Sequence, residues 1–578
     1  MSSSDNPDNL GTSTGLPDPL AVESSSEKNV IMPSSAFDES TFRNKIPYNK
    51  GDKNYAFYES LIPVLRERKP SDRPRIAVFT DIELDYDDLL AIIFLSEMHR
   101  LGAVELVGFI ANHGASLERA KFLRSVLLLL GLCHIEVAEG TNGVGDPDKL
   151  VEKHWLTGSY YELKNITFAQ VWDNEPFRSG SALLEDLTRE VDKGKEPLTV
   201  LLISSLQDIS EYFNSKLGPL KVASDDADSK IARKKPEAVI EPGARVDTET
   251  ENKGAKFLKT YFKRFISQGG YMVTTGNTLN SACKMEPLSN MANNNWNLDA
   301  AKNYTQCLAK YGLPSDAWSR EVAKAATLDS CTITKQAGMG PIGTHLSWLF
   351  PRQEFKFYWD PFNAPFQPRL NKEWYLKTRL VLKSDTELFN ELKNSPPSFR
   401  EVLPMIKVIA YDGCAAMGAV GDDIMLALGI IGDNIPVYNM ASHQHRIFGA
   451  GEGDLGGING RRLGDAFEAF LCGALMATHH DAEQLIPSSS VRHEQQNYRV
   501  GLGIFEHQLP FLQQCMKLED KAKQGDEMSR GQLAQLKSEN LPGELGAYPK
   551  VPALQDIPYE LLYQDAIQQV KAASLPAV

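Results

Sequence analysis

Five carboxylates lie within eight residues of this sequence, at Asp81, Glu83, Asp85, Asp87 and Asp88, with no basic residue among them. Like charges packed into one turn repel each other strongly at low dielectric, so something must offset the repulsion. A helix N-terminus offsets a small part of it. A hard divalent cation, which prefers carboxylate oxygens, offsets far more. The pattern therefore predicts a cation-binding turn, and the alternative is an acidic helix cap that faces water.

The elements around this turn predict an α/β fold. Residues 75–80 read as a buried strand immediately before the acids, and residues 89–95 begin an apolar helix after them. Further strands are expected at 104–111, 134–138, 198–203 and 271–275, with a helix at 117–130 whose polar face carries Arg119, Lys121 and Arg124. Alternating strands and helices indicate a mostly parallel sheet with helices on both faces, and ligands bind such sheets at the carboxyl ends of the strands.

Composition limits the classes of function. The chain has 578 residues, 42% of them hydrophobic, which is enough for one large domain with additions. A net charge of −14 argues against a nucleic-acid partner. The seven cysteines form no CxxC pair, so we expect reduced thiols in a cytoplasmic protein, and we find neither a signal peptide nor a membrane-spanning run. The expected organisation is a disordered tail over 1–45, an α/β domain over 46–515 with a mobile insertion near 216–256, and a polar extension over 516–578.

The acidic turn resembles the signature of the inosine–uridine-preferring nucleoside hydrolases, D-x-D-x-G-x-D-D-x-x-A-I. Asp81, Asp87, Asp88, Ala91 and Ile92 match this pattern, whereas Glu83 replaces an aspartate and Asp85 replaces the glycine.

Four later segments resemble other elements of that family, in the family's order. Residues 108–114 resemble the strand that ends in a ribose-binding asparagine, and residues 201–209 resemble the A-T-G-P-L-T-N-I stretch. Residues 293–301 resemble E-F-N-x-x-x-D-P-x-A, with Asn293 in place of the glutamate. Residues 411–415 resemble H-D-P-x-A, with Tyr411 in place of the histidine.

The resemblance implies a Rossmann-like nucleoside hydrolase fold that hydrolyses the N-glycosidic bond of a ribonucleoside with Ca²⁺. The implied metal ligands are Glu83, Asp88, Asp412 and the backbone carbonyl of Ile203. Glu83 would also be the general base, and Asp87 would hold a ribose hydroxyl. The implied substrate contacts are Asn112, Asn293, Asn295 and Tyr411. Asp81 would support the turn, and the implied partners are a nucleoside-like small molecule and a second copy of the chain.

The substitutions leave other readings open. Glu83, Asp85, Asn293 and Tyr411 together suggest an altered substrate, or a catalytically weak member that binds a ribosyl ligand or a protein. A phosphatase of the D-x-D type ranks last, because its second acid would be Glu83. His443, His445 and the pair His479-His480 are further candidates for protonating the leaving group. The glycine-rich run 449–460 lacks the Gly-Lys-Ser/Thr ending of a phosphate loop, so a loop near the site is the expectation.

Overall fold

The computed structural model describes most of the chain between residues 37 and 482. The described ranges are 37–145, 176–217, 248–274, 284–363, 371–395, 398–432, 438–440, 443–449 and 453–482, without residues 84 and 133, together with short pieces between 517 and 532. The expected insertion and C-terminal extension therefore lie largely outside the described residues. Residues 1–36 of the expected disordered tail also lie outside the described residues. The last part of that expected tail contains a helix at Glu39–Asn44.

Twelve strands are described. They are β1 (Arg75–Thr80), β2 (Glu105–Ala111), β3 (Val137–Glu139), β4 (Leu198–Leu202), β5 (Phe262–Gln268), β6 (Tyr271–Thr274), β7 (Lys284–Pro287), β8 (Ser315–Trp318), β9 (Leu328–Asp329), β10 (Lys407–Val408), β11 (Tyr438–Met440) and β12 (His443–Phe448). Eight of them form the main sheet, in the order β11-β12-β8-β5-β4-β1-β2-β3. Seven of these strands are parallel, and β11 is antiparallel at one edge. The predicted α/β class with a mostly parallel sheet is confirmed.

The helices are numbered in chain order. They are α1 (Glu39–Asn44), α2 (Tyr55–Glu67), α3 (Asp87–Arg100), α4 (Ser116–Leu129), α5 (Gly180–Asp192), α6 (Gln207–Leu217), α7 (Thr248–Tyr261), α8 (Ala292–Trp296), α9 (Leu298–Tyr311), α10 (Arg320–Ala325), α11 (Ser330–Thr334), α12 (Gly340–Asn363), α13 (Lys372–Thr378), α14 (Glu387–Asn394), α15 (Phe399–Val402), α16 (Tyr411–Ala419), α17 (Asp422–Ala427) and α18 (Gly460–Ala482). Among the described residues, no helix has the length and apolar character that a membrane span needs.

The core lies on both faces of the sheet. β1 and β4 are buried along their whole length, as expected of central parallel strands covered on both sides. Ala77 and Phe79 of β1 point into a cluster that includes side chains of α5, α6, α7 and α9. The alternate residues Ile76 and Val78 are buried as well but lie outside that cluster. Helices α3, α16 and α18 pack together, and α16 contacts β4, β5 and β8.

The structure corrects two sequence predictions, which are the place of the strand at 271–275 in the parallel sheet and the exposure of Arg119. Tyr271–Thr274 form β6, which pairs antiparallel with β7 in a separate two-stranded sheet. The strand that enters the main sheet is β5, which contains Lys263 and Arg264 between apolar residues and so lacks the continuous apolar run of β1. Arg119, expected on the polar face of its helix, is instead fully buried.

The order of the strands fixes where a ligand site can form. The chain runs from β1 outward to β2 and β3, then returns to place β4 on the other side of β1. In open parallel sheets, ligands usually bind at such a reversal, at the carboxyl ends of the strands, which here are those of β1 and β4. The acidic turn follows β1, and Ile203 follows β4.

Candidate metal and ribose site

The acidic turn is held by one buried arginine. Nη1 of Arg119 donates to the carbonyl oxygen of Asp81 at 2.6 Å and also to that of Ile82, and Nε donates to the carbonyl of His113 at 2.7 Å. The turn then passes through Glu83 with a φ of +69°, a left-handed conformation that is uncommon outside glycine. Together these features turn the chain sharply between β1 and α3.

Four carboxylates converge beyond this turn. One oxygen from each of Asp85, Asp87, Asp88 and Asp412 lies within 4.8 Å of the other three. Asp87 and Asp88 are the first two residues of α3, and Asp412 is the second residue of α16, which packs against α3. Asp87, Asp88 and Asp412 are buried, whereas Asp85 is partly exposed. We call these four residues the carboxylate cluster.

The electrostatics of the cluster show a shortage of positive charge. Burial raises the pKa of Asp87, Asp88 and Asp412 well above the ordinary range, and the neighbouring carboxylates raise it further. Burial likewise raises the pKa of Asp81 to about 7; Arg119 opposes this, and Asp85 adds to it. The Asp81 Oδ2 atom is buried and has no hydrogen-bond partner among the described residues. A cation bound here would relieve each of these costs.

Glu83 occupies a different position from the one the resemblance implied. Its carboxylate is buried against His345, with 3.0 Å between Oε1 and the imidazole Nε2, and it is not a member of the carboxylate cluster. Asp85, which stands where the family has glycine, is the member instead. His345 lies 262 residues away, in α12, and no sequence pattern singled it out. Asp88 and Asp412 are members of the cluster, as the resemblance implied.

Ile203 and Asn112 lie at the ends of the two strands beside β1. The Ile203 N–H donates to the Phe79 carbonyl at 3.0 Å, and the Asn112 N–H donates to the Thr80 carbonyl at 2.9 Å. Both residues are fully buried. The sheet therefore places them on either side of the start of the acidic turn.

The asparagines of α8 lie at the same edge of the sheet. The Asn293 amide nitrogen donates to Oε1 of Gln268, the last residue of β5, at 2.8 Å. Asn295, half-buried, lies one residue before Trp296, whose ring packs against His113 with 4.0 Å between centroids and the ring planes tilted by 39°. This contact brings α8 beside the end of β2. Asp299, which aligns with the aspartate of E-F-N-x-x-x-D-P-x-A, has a side chain 97% exposed to solvent.

Tyr411 is the first residue of α16 and lies near a second set of buried polar side chains, which are Tyr86, Glu354 and Arg379. Burial raises the pKa of Tyr411 to about 12, so its hydroxyl remains a proton donor at neutral pH. Nearby, the Tyr86 hydroxyl donates to Glu354 Oε1 at 2.9 Å, and the Arg379 guanidinium lies 3.3 Å from the same oxygen. Arg379 also stacks over the Phe357 ring at 4.3 Å. Sequence reasoning missed Glu354 and Arg379, which sit outside every motif.

The other histidine candidates lie elsewhere. His445 is buried in β12, with 2.7 Å between its Nδ1 and Ser315 Oγ in the neighbouring strand. His443 is at the first position of the same strand. His479 and His480 lie near the end of α18. The run 449–460 is described in part, and its Gly449 has a φ of +79°.

The donor set fits a hard divalent cation. Four carboxylates within reach of one point, three of them buried, offer oxygen ligands of the kind that Ca²⁺ and Mg²⁺ prefer. The raised pKa values and the unpartnered Asp81 oxygen are the costs that such an ion would remove. The carboxylate cluster could therefore hold a metal ion.

No protein-family model matches the sequence, and no curated protein matches it either. Solved structures do match it. The effector protein XOO4466 aligns with 15% identity and a TM-score of 0.50, over 72% of this chain and 99% of its own. The type III effector protein XopQ, crystallised with adenosine diphosphate ribose, aligns with 15% identity and a TM-score of 0.51, over 72% of this chain and 98% of its own.

Nucleoside hydrolases match at lower TM-scores. The plant nucleoside hydrolase PpNRh1 aligns with 11% identity and a TM-score of 0.36, over 69% of this chain and 98% of its own. A purine-preferring ribonucleoside hydrolase from Gardnerella vaginalis aligns with 14% identity and a TM-score of 0.37, over 70% and 99%. The chain thus has the fold of the two effector proteins XOO4466 and XopQ.

Proposed function

We propose that this chain binds Ca²⁺ and an N-riboside at the carboxyl ends of β1 and β4 and hydrolyses the N-glycosidic bond, releasing base and ribose. The observation that carries the proposal is the carboxylate cluster at the topological switch point of the sheet. The motif order of the nucleoside hydrolases and the adenosine diphosphate ribose in the XopQ crystal support a ribosyl ligand.

In this proposal the cation is held by Asp85, Asp88 and Asp412, with the carbonyl of Ile203 at the neighbouring strand end. When bound, it would supply the positive charge that lowers the pKa of the attacking water. Asp85 takes the proton from that water, because it is the partly exposed member of the cluster. Glu83, the family's base position, is engaged with His345.

The remaining residues hold the substrate. Asp87 accepts a hydrogen bond from a ribose hydroxyl, and Asn112, Asn293 and Asn295 bind the rest of the sugar. Tyr411 faces the leaving group, where its un-ionised hydroxyl donates a hydrogen bond. A phenol with a pKa near 12 is a much weaker acid than imidazolium, so we expect turnover to favour bases that leave without strong protonation.

A second candidate function is ribosyl binding without turnover. The observation that favours it is the pairing of Glu83 with His345, which removes the family's base from the cluster. Under this alternative the carboxylate cluster retains its cation and ligand, and catalysis is absent.

Reducing-sugar release separates these functions. The purified chain is incubated with purine, pyrimidine and nicotinamide ribosides, with calcium or with a chelator. The Asp88→Ala variant removes a cluster member, and Asp299→Ala is the matched control, since Asp299 is exposed on α9. Calcium-dependent release that is lost only in Asp88→Ala supports the hydrolase. Calcium binding without release from any riboside supports the binding function.

A further inference from the structure

The Asn112 side chain has a fixed orientation. Its amide nitrogen donates to the carbonyl oxygen of Ser205 at 3.1 Å and to Oδ2 of Asp208 at 2.7 Å. Its amide oxygen, Oδ1, is buried and has no hydrogen-bond partner among the described residues. Because both acceptors lie on the nitrogen side, turning the amide over would bring its oxygen against two other oxygens.

Asp208 supplies the shorter of the two hydrogen bonds that set this orientation. It lies in the first turn of α6 and accepts three hydrogen bonds: from the Thr141 N–H at 2.7 Å, the Thr141 hydroxyl at 2.8 Å and the Asn112 amide. An ionised carboxylate only accepts hydrogen bonds, so every polar group that faces its oxygens must be a donor. In the A-T-G-P-L-T-N-I pattern the position of Asp208 holds asparagine. An asparagine side chain has one acceptor oxygen and one donor nitrogen, so it cannot accept at both of the positions that the two Asp208 oxygens occupy.

The packing leaves little room for another arrangement. A Cβ on Gly140 would lie 2.6 Å from Asn112 Cβ and 2.9 Å from Asp208 Oδ1, so the backbone of residue 140 closes directly over the pair. The Asn112 N–H meanwhile donates to Thr80, the last residue of β1 before the acidic turn. The unpartnered oxygen is therefore held rigidly at the carboxyl end of the sheet.

We propose that Asp208 is a positioning residue that fixes the Asn112 amide so that Oδ1 accepts a hydrogen bond from a hydroxyl of the bound sugar. The inference deepens the proposed function and rests on a ribosyl ligand bound at the carboxyl ends of β1 and β4. It assigns to Asn112 the role of acceptor, and it names the ligand group as an O–H donor. A buried acceptor that lacks its donor costs free energy, so the hydroxyl contributes to affinity as well as to orientation.

Asp208→Asn is the informative substitution because it keeps the shape and changes one acceptor into a donor. If its nitrogen faces Asn112, two donors meet, and the Ser205 carbonyl is the one acceptor left to hold the Asn112 amide, so Oδ1 loses its fixed presentation to the ligand. If its nitrogen faces the Thr141 N–H, two donors meet there instead. Thr141→Val is the matched control, because it removes one bond to Asp208 and leaves the Asn112 contact in place.

The test is calorimetric binding of adenosine and its 2′-, 3′- and 5′-deoxy analogues in calcium. We expect Asn112→Ala and Asp208→Asn to weaken adenosine binding roughly tenfold or more, and Thr141→Val to weaken it much less. The analogue that lacks the hydroxyl bound by Asn112 should bind the wild-type chain more weakly than adenosine does, by a similar factor. Its affinity should be nearly the same for the wild-type chain and for the variants. Equal losses in the variants for all four compounds, or no loss for adenosine, would overturn the proposal.

A second measurement does not depend on the ligand. In protein labelled with ¹⁵N-asparagine, the Asn112 side-chain N–H₂ signal, assigned by its absence in Asn112→Ala, should exchange slowly in the wild type and quickly in Asp208→Asn. An unchanged signal would overturn the orienting role of Asp208. If the wild-type chain binds none of the four compounds, the proposed function fails for purine ribosides, while this signal still decides whether Asp208 orients Asn112.

Discussion

Replacing Asp412 with asparagine should change stability in opposite directions with and without calcium. In metal-free protein, the substitution removes one charge from a cluster whose oxygens lie within 4.8 Å of one another. One ionised pair at that distance repels by roughly 3 kcal/mol at an effective dielectric constant of about 20. The raised pKa values mean that protonation already relieves part of this repulsion. We therefore expect Asp412→Asn to raise the free energy of unfolding by about 1–3 kcal/mol in a chelator.

Calcium should reverse the advantage of the variant. An ion that binds only the folded state stabilises it by about 2.7 kcal/mol when its free concentration is one hundred times its Kd. The wild-type chain should gain that amount, and Asp412→Asn should gain much less, because a ligand is missing.

Urea unfolding followed by circular dichroism, in calcium and in chelator, measures all four free energies. Asp299→Asn is the control for a change of one charge, because that side chain is exposed. The reasoning is refuted if Asp412→Asn is less stable than the wild type in chelator, or if calcium stabilises both proteins equally.

Three further predictions concern other polar groups of the fold. Tyr86→Phe leaves the buried Glu354 carboxylate without its phenol donor, so the free energy of unfolding should fall by about 1–2 kcal/mol in urea titrations; an unchanged value would contradict the contact. Arg119→Lys cannot reproduce the fork that holds three carbonyls, so it should lower stability by roughly 3 kcal/mol or more and weaken calcium binding in calorimetry. Burial, with help from His134 and Arg73, lowers the pKa of His99 from 6.5 to about 4, so unfolding takes up a proton. Stability from this group is present above pH 6.5 and is lost as the pH falls to about 4, and His99→Asn should show a smaller decline over that window.

The sequence was sufficient to predict β1 and the acidic turn that follows it because these signals are local. β1 and the acids after it stand next to each other in the chain, and the predicted strand at 75–80 has the observed bounds. Asp412 enters the cluster only because α16 packs on α3, and the resemblance, not the local pattern, identified it.

The presence of Asp85, and not Glu83, in the carboxylate cluster could not be predicted from local sequence. It depends on a left-handed backbone at Glu83 and on a histidine 262 residues away. Arg119 was placed on a solvated face because charge at helical spacing usually faces water, yet it is buried to hold the turn. Strand β5 was missed because its Lys263 and Arg264 interrupt the apolar pattern.

Calcium stoichiometry tests the central claim most directly. Equilibrium dialysis against ⁴⁵Ca²⁺ would be run on the wild-type chain, on Asp88→Asn and on Asp299→Asn, which changes the same residue type at an exposed position. We expect one calcium per chain in the wild type and in Asp299→Asn, and none at the same concentration in Asp88→Asn. No calcium on the wild-type chain, or equal binding by all three proteins, would contradict the assignment of the carboxylate cluster as a cation site.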